Sequence, residues 1–231
     1  MKKIKILSGA TLKHIALFTM LCDHVNKAIF VNMSVAGAVP TAVMVLSACF
    51  DILGRIALPI FAFLLVEGFF NTRSRGKYLR NLLVFAVISE IPFNMFTGGE
   101  LLIDWHQNIY FTLALGFGMI WLIDVIKRRT KLWLLPAVPI IGVACLVSMF
   151  GSFDYDFFGI LTIALFYLLR GRWFCPAVAF LPLVKTPWAG LGYLATYLYN
   201  GERGKQCKWF NYWFYPAHLL VIGIIRMVFF N

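Results

Sequence analysis

Long apolar runs alternate with short charged interruptions from one end of the chain to the other. Runs cover about 11–31, 50–70, 81–97, 107–126, 132–150, 155–169 and 211–230. Most approach the roughly 20 apolar residues with which a helix crosses about 30 Å of hydrocarbon. The run at 34–50 carries Pro40 and several small residues, which predicts a loop with a re-entrant or interfacial helix. Residues 173–199 hold Pro176, Pro182 and Pro187 and predict two short spans or a broken pair. The pattern predicts an all-α polytopic membrane helix bundle of about nine spans (roughly 7–10). No linker, repeat or low-complexity tract interrupts it, so residues 1–231 read as a single transmembrane domain.

The punctuation orients the bundle. Basic residues cluster at the N-terminus and at 73–80, 127–131, 170–172 and 203–208, whereas 98–106 and 151–156 contain no Lys or Arg. Cytoplasmic loops of membrane proteins carry the Lys and Arg excess. The expected arrangement is therefore multi-pass in the cell (inner) membrane, with the N-terminus in the cytoplasm. The first apolar run has the basic flank of a signal peptide, but Asp23 and His24 interrupt it and no small-residue cleavage site follows cleanly. It reads as a retained span.

Composition sharpens this picture in two places. Hydrophobic residues make up 61 % of the 231 and charged ones only 13 %, against about 25 % charged in a soluble domain. The net charge of +11 follows from the basic loops, so a nucleic-acid partner is not expected; the bilayer is. The five cysteines are scattered, with no CxxC pair, and neither a disulfide framework nor a metal site is expected. Phosphate-binding glycine loops, HExxH and GxSxG are all absent from the sequence.

Against so apolar a background, ionisable residues inside the runs are candidate functional groups. Asp23, His24 and Lys27 fall in the first run, Asp51, Arg55 and Glu67 in the second, Glu90 in the third, and His218 and Arg226 in the last. Asp23 and Lys27 are four residues apart, acid first, and are spaced to pair on one helix face, as are Asp51 and Arg55. His24 points about 100° away from Asp23, so a carboxylate orienting its ring would have to come from another span: Asp51, Glu90 or Asp154. Pro92 follows Glu90 and predicts a kink beside an acid. The basic segments have two readings: they only orient the chain, or Arg73, Arg75 or Arg203 grips the phosphates of a cytosolic ligand.

Several stretches together carry a family resemblance. LKHIALFTMLCDH, LGRIALPIFAFLLVEGFFNTR, ISEIPFN, QNIYFTLALG, YNGERG and YWFYPAHLL, in that order, resemble the TraX family, whose namesake acetylates F-pilin. That family is similar to a wider group of membrane acetyltransferases that use cytosolic acetyl-CoA. In that group a histidine of the first span is central to catalysis, and the residue here is His24. The resemblance also draws attention to Asp23, Arg55, Glu67, Glu90, Asn108, Asp154, Tyr215 and His218. It implies acetyl-CoA as co-substrate and an acceptor that is a peptide amine, as in a pilin-like chain, or a glycan.

The chemistry agrees with the residues. Acetyl transfer needs a base for the acceptor's proton, which a neutral imidazole supplies, and donors for the developing oxyanion, for which Arg55 or Asn108 is suited. The expected activity is acetyl-CoA-dependent transfer with His24 as base and Asp23 beside it, His218 being in a supporting position. The competing readings are a proton-coupled small-molecule transporter, which uses the same buried Asp, Glu and His residues, and a structural assembly subunit.

Overall fold

A computed structural model describes residues 5–37, 39–98 and 106–230. Helix accounts for 77 % of it, with no strand among the described residues. In chain order the helices are α1 (Gly9–Val25), α2 (Val31–Ala36), α3 (Thr41–Gly54), α4 (Ala57–Asn71), α5 (Arg75–Thr97) and α6 (Ile109–Lys127), followed by α7 (Leu134–Phe150), α8 (Asp156–Leu168), α9 (Cys175–Ala179), α10 (Ala189–Tyr197) and α11 (Lys208–Phe230). Among the described residues four stretches are long and apolar enough to cross a membrane: Thr41–Asn71, Arg75–Thr97, Ile109–Lys127 and Lys208–Phe230. Helices α7 and α8 are apolar but shorter.

Three local features differ from the sequence reading. The run at 34–50, expected as a loop with a re-entrant or interfacial helix, is mostly helix: the break after α2 is short, Pro40 sits just ahead of α3, where its missing N–H costs nothing, and helix proceeds from Thr41 through Gly54. The basic loop ends early, because α5 starts at Arg75 and its first turns carry Lys77 and Arg80. The first span is broken by a π-helical turn, Asn26–Phe30, between α1 and α2. Val25, Asn26, Phe30 and Val31 all keep right-handed helical dihedrals, so the backbone runs on through the turn. In the 173–199 region, expected as two short spans or a broken pair, a 3₁₀ turn at Leu181–Leu183 lies between the short helices α9 and α10. Most of the acidic loop at 98–106 lies outside the described residues.

The chain divides into two compact units: one of Met1–Phe61, Ile88–Asp104 and Thr186–Asn231, the other of Ala62–Val87 and Trp105–Lys185. Two of the boundaries, after Phe61 and after Val87, fall inside helices α4 and α5.

In the first unit α1 packs on α3 and α11. Ser8 caps α1, its hydroxyl accepting from the Thr11 amide at 3.2 Å. The next two amides, of Gly9 and Ala10, donate to the carbonyls of Glu202 and Arg203. That loop needs its glycines: Gly201 and Gly204 have φ of +88° and +70°, and a Cβ on Gly204 would sit 2.6 Å from the Ser8 hydroxyl. At the start of α11, Trp209, Phe210 and Trp213 are exposed, with Lys208 over the rings of Trp209 and Tyr212. Exposed aromatics beside a lysine mark a membrane–water boundary.

In the second unit α6, α7 and α8 pack on one another. At one end Asp124 accepts from Arg75 (2.7 Å) and Arg128 (3.0 Å), Glu67 takes a two-point bond from Arg170, and Lys127 lies over Trp133. Three basic segments, 73–80, 127–131 and 170–172, therefore meet at one end. At the other, Gln107 bridges to Phe153 and Thr112 donates to the Asp154 carbonyl at 2.7 Å. The basic segments of this unit are gathered together, as the loop-charge pattern requires of it.

Candidate active site

His24 lies in the last turn of α1, 7 % exposed, and faces His218 of α11, 9 % exposed. His24 Nδ1 is 2.7 Å from His218 Nε2, with the rings nearly parallel at 10° and their centroids 5.0 Å apart. The second nitrogen of His218, Nδ1, is 2.6 Å from the carbonyl oxygen of Phe214, one turn earlier in α11. A carbonyl can only accept, so His218 Nδ1 carries a hydrogen. In the neutral ring Nε2 is then the acceptor, and the hydrogen between the rings belongs to His24 Nδ1. The lone pair of neutral His24 is thereby assigned to Nε2, which makes no hydrogen bond among the described residues.

Aromatic rings complete the surroundings. Phe96, near the end of α5, lies 4.9 Å from the His24 ring and Tyr215 lies 5.9 Å from it. Phe96 is held by Arg226, whose guanidinium donates to the carbonyls of Phe96 and Thr97. Those carbonyls belong to the last turn of α5, which has no intrahelical partners for them. Gly223 makes this approach possible, since a Cβ there would lie 2.8 Å from that of Met95.

Asp23 is 4 % exposed and pairs with Lys27 at 2.6 Å, as the i,i+4 spacing predicts. Its Oδ2 takes that bond, whereas Oδ1 is buried with no hydrogen-bond partner. Gly54 of α3 is packed directly against this carboxylate. Asn26, the first residue of the π turn, is also buried, and its side-chain oxygen accepts from Ser47 of α3 at 2.7 Å. π turns inside α-helices are frequent at functional sites, and this one begins two residues after His24.

The first unit thus brings together Asp23, His24, Tyr215 and His218. It also contains Arg55, paired with Asp51 at 2.5 Å, Glu90, half-buried in α5, and the exposed Arg203. Glu67, Arg73, Arg75, Asn108 and Asp154 belong to the second unit. Asn108 caps α6, its side-chain oxygen accepting from the Tyr110 amide and its nitrogen donating to the Ala86 carbonyl. The main chain of Asp154 accepts from Thr112 and donates to Gln107. Arg75 is tied to Asp124 and lies over Phe69; Arg73 is exposed. The group hydrogen-bonded to His24 is an imidazole; Asp51, Glu90 and Asp154 were the positions from which a carboxylate in that role would have come. Among the described residues no cluster of three or more metal-ligating side chains occurs.

Known proteins can be set beside this geometry. The family model described as TraX protein matches residues 8–226. The probable fimbrial assembly protein FimC, serogroup H1, of Dichelobacter nodosus is 27 % identical over 209 aligned residues, covering 78 % of this chain and 83 % of that protein. No solved structure matches.

Proposed function

The chain belongs to the TraX family, and from that premise we propose that it is an integral membrane acetyltransferase that moves an acetyl group from cytosolic acetyl-CoA to an amine or hydroxyl acceptor, with His24 as base. The observation that carries this reading is the hydrogen-bonded series from the Phe214 carbonyl through His218 to His24, which leaves an imidazole lone pair on Nε2. In the reaction, Nε2 takes the proton of the acceptor N–H or O–H as that atom attacks the thioester carbonyl. The tetrahedral intermediate collapses, the C–S bond breaks, and the proton passes from Nε2 to the CoA thiolate. His218 keeps the ring in the reactive tautomer, and Asp23 with Tyr215 lines the same neighbourhood.

The fimbrial assembly role in the relative's name supports a pilin-like peptide as one acceptor class; a glycan hydroxyl is the other. The reading is tested with purified protein in lipid nanodiscs, radiolabelled acetyl-CoA and a panel of peptide and glycan acceptors. His218→Gln should lower the rate by about 10–100-fold, the range found where a metal-bound histidine loses the partner of its other ring nitrogen. His218→Phe, which also removes the hydrogen bond to His24, should cost as much or more. Wild-type turnover in both variants would remove the orienting role, and transfer to no acceptor in the panel with CoA thioesters left unbound would remove the reaction itself.

The same reading places about nine spans in the cell membrane, with the N-terminus cytoplasmic. In a background lacking the native cysteines, Ser152→Cys should react with an impermeant thiol reagent applied outside the cell and Ser74→Cys should not. Reversed labelling would invert the orientation.

A further inference from the structure

Lys13 of α1 is half-buried and makes no ion pair among the described residues. A second cation, Arg203, belongs to the loop that is hydrogen-bonded to the start of α1. The two are held near each other by the main chain, since the amide of Ala10 donates to the Arg203 carbonyl at 2.8 Å. In the second unit, by contrast, Arg75, Arg128 and Arg170 are each neutralised by Asp124 or Glu67. Two neighbouring cations, neither in an ion pair among the described residues although the exposed Glu202 lies in the same loop, and one of them half-buried, favour a bound anion between them.

Position along α1 says which anion. Lys13 and His24 are eleven residues apart, which at 1.5 Å per residue is about 16 Å of helix and three turns plus about 20°. Both side chains therefore fall on one stripe of α1, with Leu17 and Met20 between them. The pantetheine arm of CoA has twelve bonds from its pyrophosphate oxygen to its sulfur, which with bonds near 1.5 Å spans about 15 Å when extended. We infer that Lys13 and Arg203 bind the phosphates of an acyl-CoA and that α1 sets the distance from them to His24, placing the thioester at the His24–His218 pair. This rests on the acetyltransferase reading above. Leu17 and Met20 are 5 % and 7 % exposed, so the arm enters by moving side chains. Methionine, unbranched and flexible, is suited to that.

The test is binding, not turnover. Wild type, Lys13→Gln, Lys13→Arg and Arg203→Gln are titrated in neutral-lipid nanodiscs with CoA and with S-acetylpantetheine, which lacks the phosphates; the melting temperature of each unliganded protein verifies folding. The expected result is a loss of about tenfold or more in CoA affinity for both Gln variants, as for a hydrogen bond to a charged group. Lys13→Arg should retain most of the affinity, and S-acetylpantetheine should bind all four alike. CoA binding unchanged in both Gln variants overturns the inference and leaves the acetyltransferase reading standing. A wild type that binds neither probe overturns both. An effect of the substitutions seen only as less anionic lipid retained by the protein from mixed-lipid nanodiscs, with CoA affinity unaltered, assigns the cations to lipid headgroups and overturns the CoA site.

Discussion

Replacing His24 by Gln or Asn should lower acetyl transfer by about 10²–10⁴-fold, the usual contribution of a positioned acid or base, while the helices stay folded. Gln and Asn keep polarity in a buried place and offer an amide N–H towards His218 Nε2, so the contact between α1 and α11 survives. Neither can take up a proton, and the lone pair that His218 directs to Nε2 is gone. Rates, CoA binding and thermal stability are measured together, because the expected signature is lost turnover with retained binding and fold. A single-turnover experiment without acceptor divides the two ways in which Nε2 can act. If label from acetyl-CoA appears on the protein and vanishes in His24→Gln, the imidazole is the nucleophile; if none appears, it is the base. A folded His24→Gln enzyme with normal rates would reduce the residue to a packing role.

The second large effect is expected at Gly54, a position with no chemistry of its own. A Cβ there would lie 2.5 Å from both Cβ and Oδ1 of Asp23, closer than any real contact. Gly54→Ala must therefore push α3 away from α1 or turn the carboxylate off Lys27. Overpacking of this kind costs about 1–3 kcal/mol, and displacing a buried carboxylate from its partner adds to it. Gly118 of α6 is the comparison, with nothing within 4 Å of its Cβ position. Gly118→Ala should be neutral or stabilising by up to about 1 kcal/mol, as alanine is the better helix former. Unfolding in mixed detergent micelles, followed by helical circular dichroism, reads both. Equal stability for the two variants would contradict the close packing of α3 on Asp23. Turnover of Gly54→Ala should fall as well, since the displaced carboxylate adjoins His24.

Much of the helical framework was legible because local rules decided it. Asp23–Lys27 and Asp51–Arg55 follow from a spacing of four, and the all-helical class follows from the apolar runs. At Pro40 the extent of the helix was not legible, because a proline ends one helix and begins another equally well, and only the backbone after it tells which. The π turn at Asn26–Phe30 leaves no mark on a pattern read at 3.6 residues per turn. The pairing of His24 with His218, 194 residues away, joins the first helix to the last, and no spacing rule reaches that far. Asp124 was passed over although Arg128, four residues on, signalled its partner. Asn108 was read for its amide chemistry when its place just before an aromatic run was the mark of a helix cap.

The series that orients His24 ends on a backbone carbonyl of α11 and not on an acid. It supplies a dipole and no fixed counter-charge, so a proton that reaches His24 has no carboxylate in that series to hold it there. In acetyl transfer the proton leaves with the CoA thiol in the same catalytic cycle, and the protein returns to its starting charge. Chemistry of this kind moves no net charge through the bilayer. The rate in energised vesicles should then ignore the transmembrane voltage, whereas carriage of one proton across the membrane would respond to about 2.3 kcal/mol for every 100 mV.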